Sequence, residues 1–148
     1  MNMLNVSNFS ERLADLIFEA GTNATTLSVE LGHGNATISR YLTGQCLPTV
    51  AAAVQLADYF HCTVDYLLGL VEENNVHTFK PCPPFGQSLA FLCNYYQISR
   101  YRLQKMTNIP ESVMRYWVQN KTQPSLVSVV RIAEALHCAV DFVLGREC

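Results

Sequence analysis

Shifted by 76 residues, the sequence aligns with its own second half without a gap. Between positions 9 and 69, 14 of 61 residues are identical to the residue 76 places further on. Phe9 meets Phe85, Leu13 meets Leu89, Leu16 meets Leu92, Leu27 meets Leu103, and Pro48 meets Pro124. The agreement is closest at the end of each copy, where FHCTVDYLLG lies over LHCAVDFVLG. The matches are mostly apolar residues, Pro and Gly, which specify a fold, while the differing polar positions specify what its surface does. A period of this kind constrains the fold more than any local motif, and it predicts two copies of one small domain. The expected boundaries are domain 1 over residues 1–70, a Pro-containing linker over 71–84, and domain 2 over 85–148. Prolines deny the linker a helix, and the 16 steps from Gly69 to Phe85 span up to roughly 50 Å.

Apolar periodicity and capping residues predict an all-α fold with five helices in each copy. In the first copy, Ser7 or Asn8 is expected to cap a helix running to Ala20, and Asn23 a helix over 24–31 that stops at Gly32. The remaining helices are expected over 35–42, from Pro48–Thr49 to Phe60 with Val50, Val54 and Ala57 inward, and over 63–68. In the second copy they fall over 85–96, 99–106, 111–119, 125–137 and 139–144, with Ser99 and Ser125 as caps.

Within each copy the second and third helices are short and separated by a tight turn, the spacing of a helix-turn-helix. Gly32 removes the side-chain clash such a turn creates. Leu27 and Ile38 are expected to lock the two helices together, leaving Asn35, Ala36, Ser39 and Arg40 outward. A face of that size fits a major groove about 12 Å wide.

The sequence resembles the Cro and lambda-repressor type helix-turn-helix family, the xenobiotic-response-element regulators. The residues that carry the likeness are Leu27, Leu31, Gly32, Thr37, Ile38, Ser39, Arg40, Tyr41, Gly44, Pro48, Leu56, Ala57 and the closing VDYLLG. It covers residues 8–69 and, less strictly, 84–146. The resemblance implies two tandem lambda-repressor-like domains, sequence-specific binding of double-stranded DNA, and a dimeric transcriptional repressor. It also implies that Asn35, Ala36, Ser39 and Arg40 face bases or phosphates in copy one, and that Glu111, Ser112, Val113, Arg115 and Tyr116 do so in copy two. There are departures. Ala24 and Arg100 stand where the family often has Gln, and Leu42 where it often has Glu. In copy two, Asn108 replaces the turn glycine, Pro110 stands at the place of Gly34, Trp117 at that of Tyr41, and Asn120 at that of Gly44. Asn tolerates a left-handed backbone, so the turn is expected to survive.

Charge separates the copies. The net charge is −2, but residues 1–74 hold two basic and eight acidic side chains (−6), and residues 75–148 hold eight and four (+4). Phosphate neutralisation supplies essentially all non-specific affinity for DNA. Copy two is therefore expected to be the main reader, with Arg100, Arg102 and Lys105 on the helix that crosses the backbone, Arg115 and Tyr116 on the next, and Lys121 beyond it. Gln119, Asn120, Thr122 and Gln123 add groups able to bond phosphate. Copy one then supplies a weaker second contact, a dimer surface or a protein-partner site. Successive half-sites on one DNA face lie about 34 Å apart, a span the linker reaches, so an intrachain pseudo-dimer and a homodimer both remain open.

Other function classes are excluded or disfavoured. Charged residues are 15% of the chain, against about 25% in a typical domain, which argues against a disordered tail and for a surface partly covered by a partner. No apolar run of membrane-spanning length and no leader pattern is present, so a cytoplasmic protein that contacts no membrane is expected. The six cysteines form no CxxC pair and are expected to be reduced packing residues, with Cys148 exposed at the terminus. His61–Cys62 recurs as His137–Cys138, but adjacent residues rarely converge on one ion, so no metal or cofactor is expected. Trp117 is expected in the core, while Tyr95, Tyr96 and Tyr101 suit a partner surface or a domain edge equally. No enzyme constellation appears. The rival to a DNA reader is a protein-interaction adaptor or antitoxin-like module whose helix-turn-helix copies no longer bind DNA.

Overall fold

The computed structural model describes residues 4–74 and 78–147, apart from the side chain of Asn35. The described residues form ten helices and no sheet, so the fold is all-helical. The chain divides into two compact units, Met1–His77 and Thr78–Cys148.

Unit one contains α1 (Val6–Glu19), α2 (Ala24–Leu31), α3 (Asn35–Leu42), α4 (Val50–Phe60) and α5 (Val64–Leu67). Its start differs from the expectation at one point. Asn5, not Ser7 or Asn8, caps α1, because its extended backbone lets the side-chain oxygen accept from the Asn8 amide at 2.7 Å. Asn23, Thr49 and Thr63 cap α2, α4 and α5 in the same way. Helix α3 packs on both α1 and α2, and α5 on α1 and α4. Leu27 and Ile38 are fully buried between them with Phe9, Leu13 and Leu56. The inward face of α4 is Ala52, Ala53, Leu56 and Ala57, whereas Val50 and Val54, expected inward, are only half-buried.

Unit two contains α6 (Phe85–Tyr95), α7 (Arg100–Thr107), α8 (Glu111–Val118), α9 (Leu126–Leu136) and α10 (Val140–Leu144). Ser99 and Ser125 cap α7 and α9. Its core gathers Phe85, Leu89, Leu92, Leu103, Met114, Trp117 and Val129. Helices α7, α8 and α9 begin 76 residues after α2, α3 and α4. The backbone repeats as closely. All ten positive-φ positions among the described residues pair at that offset: Gly21 with Gln97, Gly32 with Asn108, Gly44 with Asn120, His61 with His137, and Gly69 with Gly145. At the helix-turn-helix turn, Gly32 has φ 73° and Asn108 φ 59°. Asn holds this left-handed conformation at little cost because its short side chain adapts to it.

One packing contact repeats with altered chemistry. Phe9 meets Tyr41 edge-on with ring centroids 5.6 Å apart, and Phe85 meets Trp117 edge-on at 5.3 Å. Beside the first pair, the buried Ser10 hydroxyl donates to the Tyr41 carbonyl at 2.6 Å. The equivalent Gly86 brings α6 closer still, since a Cβ there would lie 2.9 Å from the Trp117 and Val118 carbonyl oxygens. Those are backbone atoms that cannot rotate away. Gly86→Ala is therefore expected to destabilise unit two by about 1–3 kcal/mol, despite a helix-propensity gain of about 1 kcal/mol. An unchanged or raised urea midpoint would show that α6 and α8 separate freely.

The ends of the two units nearest their boundary are each docked on their own unit. In unit one, Arg12 donates to the carbonyls of Tyr66 and Val71, lies 3.9 Å above the Tyr66 ring, and pairs with Glu72 at 3.6 Å. Asn74 donates to the His61 carbonyl and accepts from the Thr63 amide, each at 3.1 Å. In unit two, the Lys80 amide donates to the Arg146 carbonyl at 2.9 Å, and Phe79 forms an antiparallel bridge with Glu147. The expected linker residues Asn75, Val76 and His77 lie outside the described residues.

Candidate nucleic-acid interface

In unit two, the turn at Asn108 sets the first turn of α8 beside the first turn of α7. Glu111 marks the junction: its carboxylate pairs with Arg115 at 3.3 Å along α8 and with Arg100 of α7 at 3.9 Å. Arg115 lies 5.8 Å and Lys121 5.7 Å from the Tyr116 ring centroid. These contacts join Arg100, Glu111, Arg115, Tyr116 and Lys121 into one exposed ridge. Arg102, Lys105 and Ser112 are also exposed, and Lys105 lies 5.2 Å from the ring of the exposed Tyr101. The ridge stands on a firm base, because Leu103, Ile109, Met114 and Trp117 are buried beneath it. Ser99 fixes the start of α7 by accepting from the Arg102 amide at 3.0 Å.

Three basic residues of this half stand outside the ridge: Lys80 and Arg131 are exposed elsewhere, and Arg146 is withdrawn from the surface. Arg146 is fully buried, bonded to Asp141 at 2.6 Å and stacked 3.8 Å from the Phe79 ring. In the sequence it counts among the cations of the second half, where its charge alone predicts exposure. Because Asp141 leaves the surface with it, the surface charge of unit two is still +4, from seven basic residues less Glu111, Glu134 and Glu147.

In unit one, α3 carries fewer charged residues than α8. Ala36, Ser39 and Arg40 are exposed on α3, while the side chain of Asn35 lies outside the described residues. Thr43 donates to the Ser39 and Arg40 carbonyls at 3.0 and 3.3 Å, which closes the end of α3. The other basic residue of unit one is Arg12, held in the contacts described above. Its face therefore carries Arg40 where unit two carries a connected set of cations and aromatics.

The remaining candidates of the sequence separate by environment. Trp117 is core, as expected. Cys62 is buried, Cys46, Cys93 and Cys138 are half-buried, Cys82 is exposed, and Cys148 lies outside the described residues. Burial pushes the Cys93 thiol up, outweighing the opposite pull of Arg100, so it stays protonated at neutral pH. Burial, helped by a hydrogen bond with Cys138, pushes the Tyr96 hydroxyl up to about 12. Tyr95 and Tyr96 cluster with Phe91 and Phe142 across α6 and α10, away from Tyr101 on α7. Among the described residues, no group of three His, Cys, Asp or Glu is placed to hold a metal ion, and no helix is long and apolar enough to cross a membrane.

Residues 89–145 match the family model of the Cro/C1-type helix-turn-helix DNA-binding domain. No curated protein and no solved structure matches the chain. The matched stretch runs from within α6 through α10 and contains the whole basic ridge. Residues 89–145, within the second unit, are thus similar to a Cro/C1-type helix-turn-helix DNA-binding domain.

Proposed function

We propose that the protein is a sequence-specific double-stranded DNA-binding transcriptional regulator, a repressor by its resemblance, whose main reading surface is the ridge of unit two. The observation that carries this reading is the coincidence of the Cro/C1-type match with the half-exposed Arg100 and the exposed Arg102, Lys105, Ser112, Arg115, Tyr116 and Lys121. Helix α8 enters the major groove, with Ser112 and Arg115 toward base edges, where Arg recognises guanine through O6 and N7. Helix α7 crosses the phosphate backbone with Arg100, Arg102 and Lys105, and Lys121 reaches the next phosphate. Tyr101 and Tyr116 hold neighbouring cations in place through their ring faces. The family's DNA-binding role and the lack of catalytic motifs support a protein that is not an enzyme, acting in the cytoplasm.

Unit one is read as a second copy of the same domain, the acidic one and the closer of the two to the family pattern, supported by the 76-residue offset of its helices and of its left-handed positions. Its net charge of −6 with one exposed arginine on α3 favours a different role. It makes a weak second DNA contact through Asn35, Ala36, Ser39 and Arg40, or it offers a surface to a protein partner or to the second subunit of a homodimer.

The test is selection of duplexes from a random library with the intact chain, followed by titration at rising salt. The expected result is specific binding with a dissociation constant of about 10 nM or tighter, weakening steeply with salt. Arg115→Ala is expected to cost about 1–3 kcal/mol on the selected duplex and to relax its preference at one or two base pairs. A chain that binds no duplex at low salt, but captures one protein in stoichiometric amount, would instead be an adaptor.

A further inference from the structure

The ridge contains one residue that opposes its function. Glu111 opens α8 and is half-exposed, with its carboxylate shared between two of the guanidiniums that face the duplex. Its bond to Arg115 is an ordinary pair at four-residue spacing within one helix. The contact with Arg100 is of another kind, because it crosses the turn and joins two helices. In unit one, the positions 76 residues earlier are Asn35, Ser39 and Ala24, all uncharged. The acid and both of its partners are thus charged together in unit two and neutral together in unit one.

We infer that Glu111 is a specificity-determining residue that acts as an internal stand-in for phosphate; this rests on the DNA-binding reading of unit two. With its carboxylate on Arg100 and Arg115, the two guanidiniums meet a random duplex already partly neutralised. A passing phosphate must displace the carboxylate, and the freed carboxylate then lies close to other phosphates. Random sequence therefore gains little from the ridge. On the right sequence the freed carboxylate has a partner, since a cytosine N4 amino group in the major groove donates to an acidic side chain. Guanine and adenine N7, both acceptors, repel it. The same charge lowers affinity for all DNA and restores part of it on the chosen site, so it widens the gap between the two.

The experiment compares the intact wild-type chain with Glu111→Gln, using a random-sequence duplex and the duplex selected by the wild type. Glutamine keeps the length and hydrogen bonding while removing the charge. The expected result is random-duplex binding tightened about tenfold near 100 mM salt, with the salt slope steeper by about one phosphate contact. The ratio of selected to random affinity falls. A second variant, Glu111→Gln with Arg100→Ala, tests the route: the gain on random DNA shrinks when one of the two guanidiniums is gone. Unchanged random-duplex affinity and slope in Glu111→Gln, with wild type binding normally, overturns the inference and leaves the DNA-binding reading standing. Equal tightening on both duplexes overturns the role in specificity. A wild type that binds neither duplex at low salt overturns both.

Discussion

Replacing Arg100, Arg102 and Lys105 together with alanine weakens binding to every duplex, by on the order of a hundredfold near physiological salt, and flattens the salt dependence by about three phosphate contacts. The side chains sit on the first two turns of α7, exposed or half-exposed, and none is part of the core. Phosphate contacts carry no sequence information, so selected and random duplexes lose affinity by similar factors. Such surface changes move folding stability by about 0.5 kcal/mol or less each. The cap of α7 is untouched, because Ser99 bonds the backbone amide at position 102 and not its side chain. The measurement is fluorescence anisotropy of labelled duplexes across a salt series, with circular dichroism to verify the helices. If affinity and slope stay as they were, the duplex is read elsewhere, and unit one with Arg40 becomes the candidate.

The second large effect concerns folding. Arg146→Met is expected to destabilise unit two by about 3–5 kcal/mol, since it leaves the Asp141 carboxylate buried without its cation. Both side chains of the pair are essentially inaccessible to solvent, at 0% and 1% exposure. The loss extends beyond the pair. The Arg146 side chain also stacks on Phe79, so packing on the strand-like segment before α6 is lost with it, while the backbone bond from Lys80 to the Arg146 carbonyl and the Phe79–Glu147 bridge remain. Replacing Asp141 with Leu alongside Arg146→Met is expected to recover much of the stability, because two apolar groups leave no uncompensated charge. Urea unfolding followed by tryptophan fluorescence reads this directly, as Trp117 is the sole tryptophan and lies in the core of unit two. An Arg146→Met midpoint equal to that of wild type would mean water already reaches the carboxylate.

Much of the helical layout is legible in the sequence. Asn23, Ser99 and Ser125 cap helices where the sequence places caps, because a capping side chain satisfies backbone amides within three residues of itself. The start of α1 is not legible in this way. Three capping residues lie within four positions, and the choice of Asn5 depends on which backbone is extended. The inward face of α4 escapes the sequence for a related reason. Alanine and valine are both apolar, and only the distance to the neighbouring helices decides which of them is covered.

The site divides along the same line. Its outward side chains follow from helical periodicity and local charge, so the sequence alone determined that the second half carries a net +4 and the first half −6 on one repeated pattern of apolar residues. Only the tertiary structure decided what those charges meet. Arg12 and Arg146 read in the sequence like any other cations, yet one is held against Tyr66 and the other is buried on Asp141 and Phe79. Glu111 reads as a helix-stabilising partner of Arg115, yet it also holds Arg100 across a turn. Local sequence sets the torsions and the periodicity of a helix. The fate of a charge depends on groups brought to it by the rest of the chain, and for Arg12 those groups lie 54 and 59 residues away.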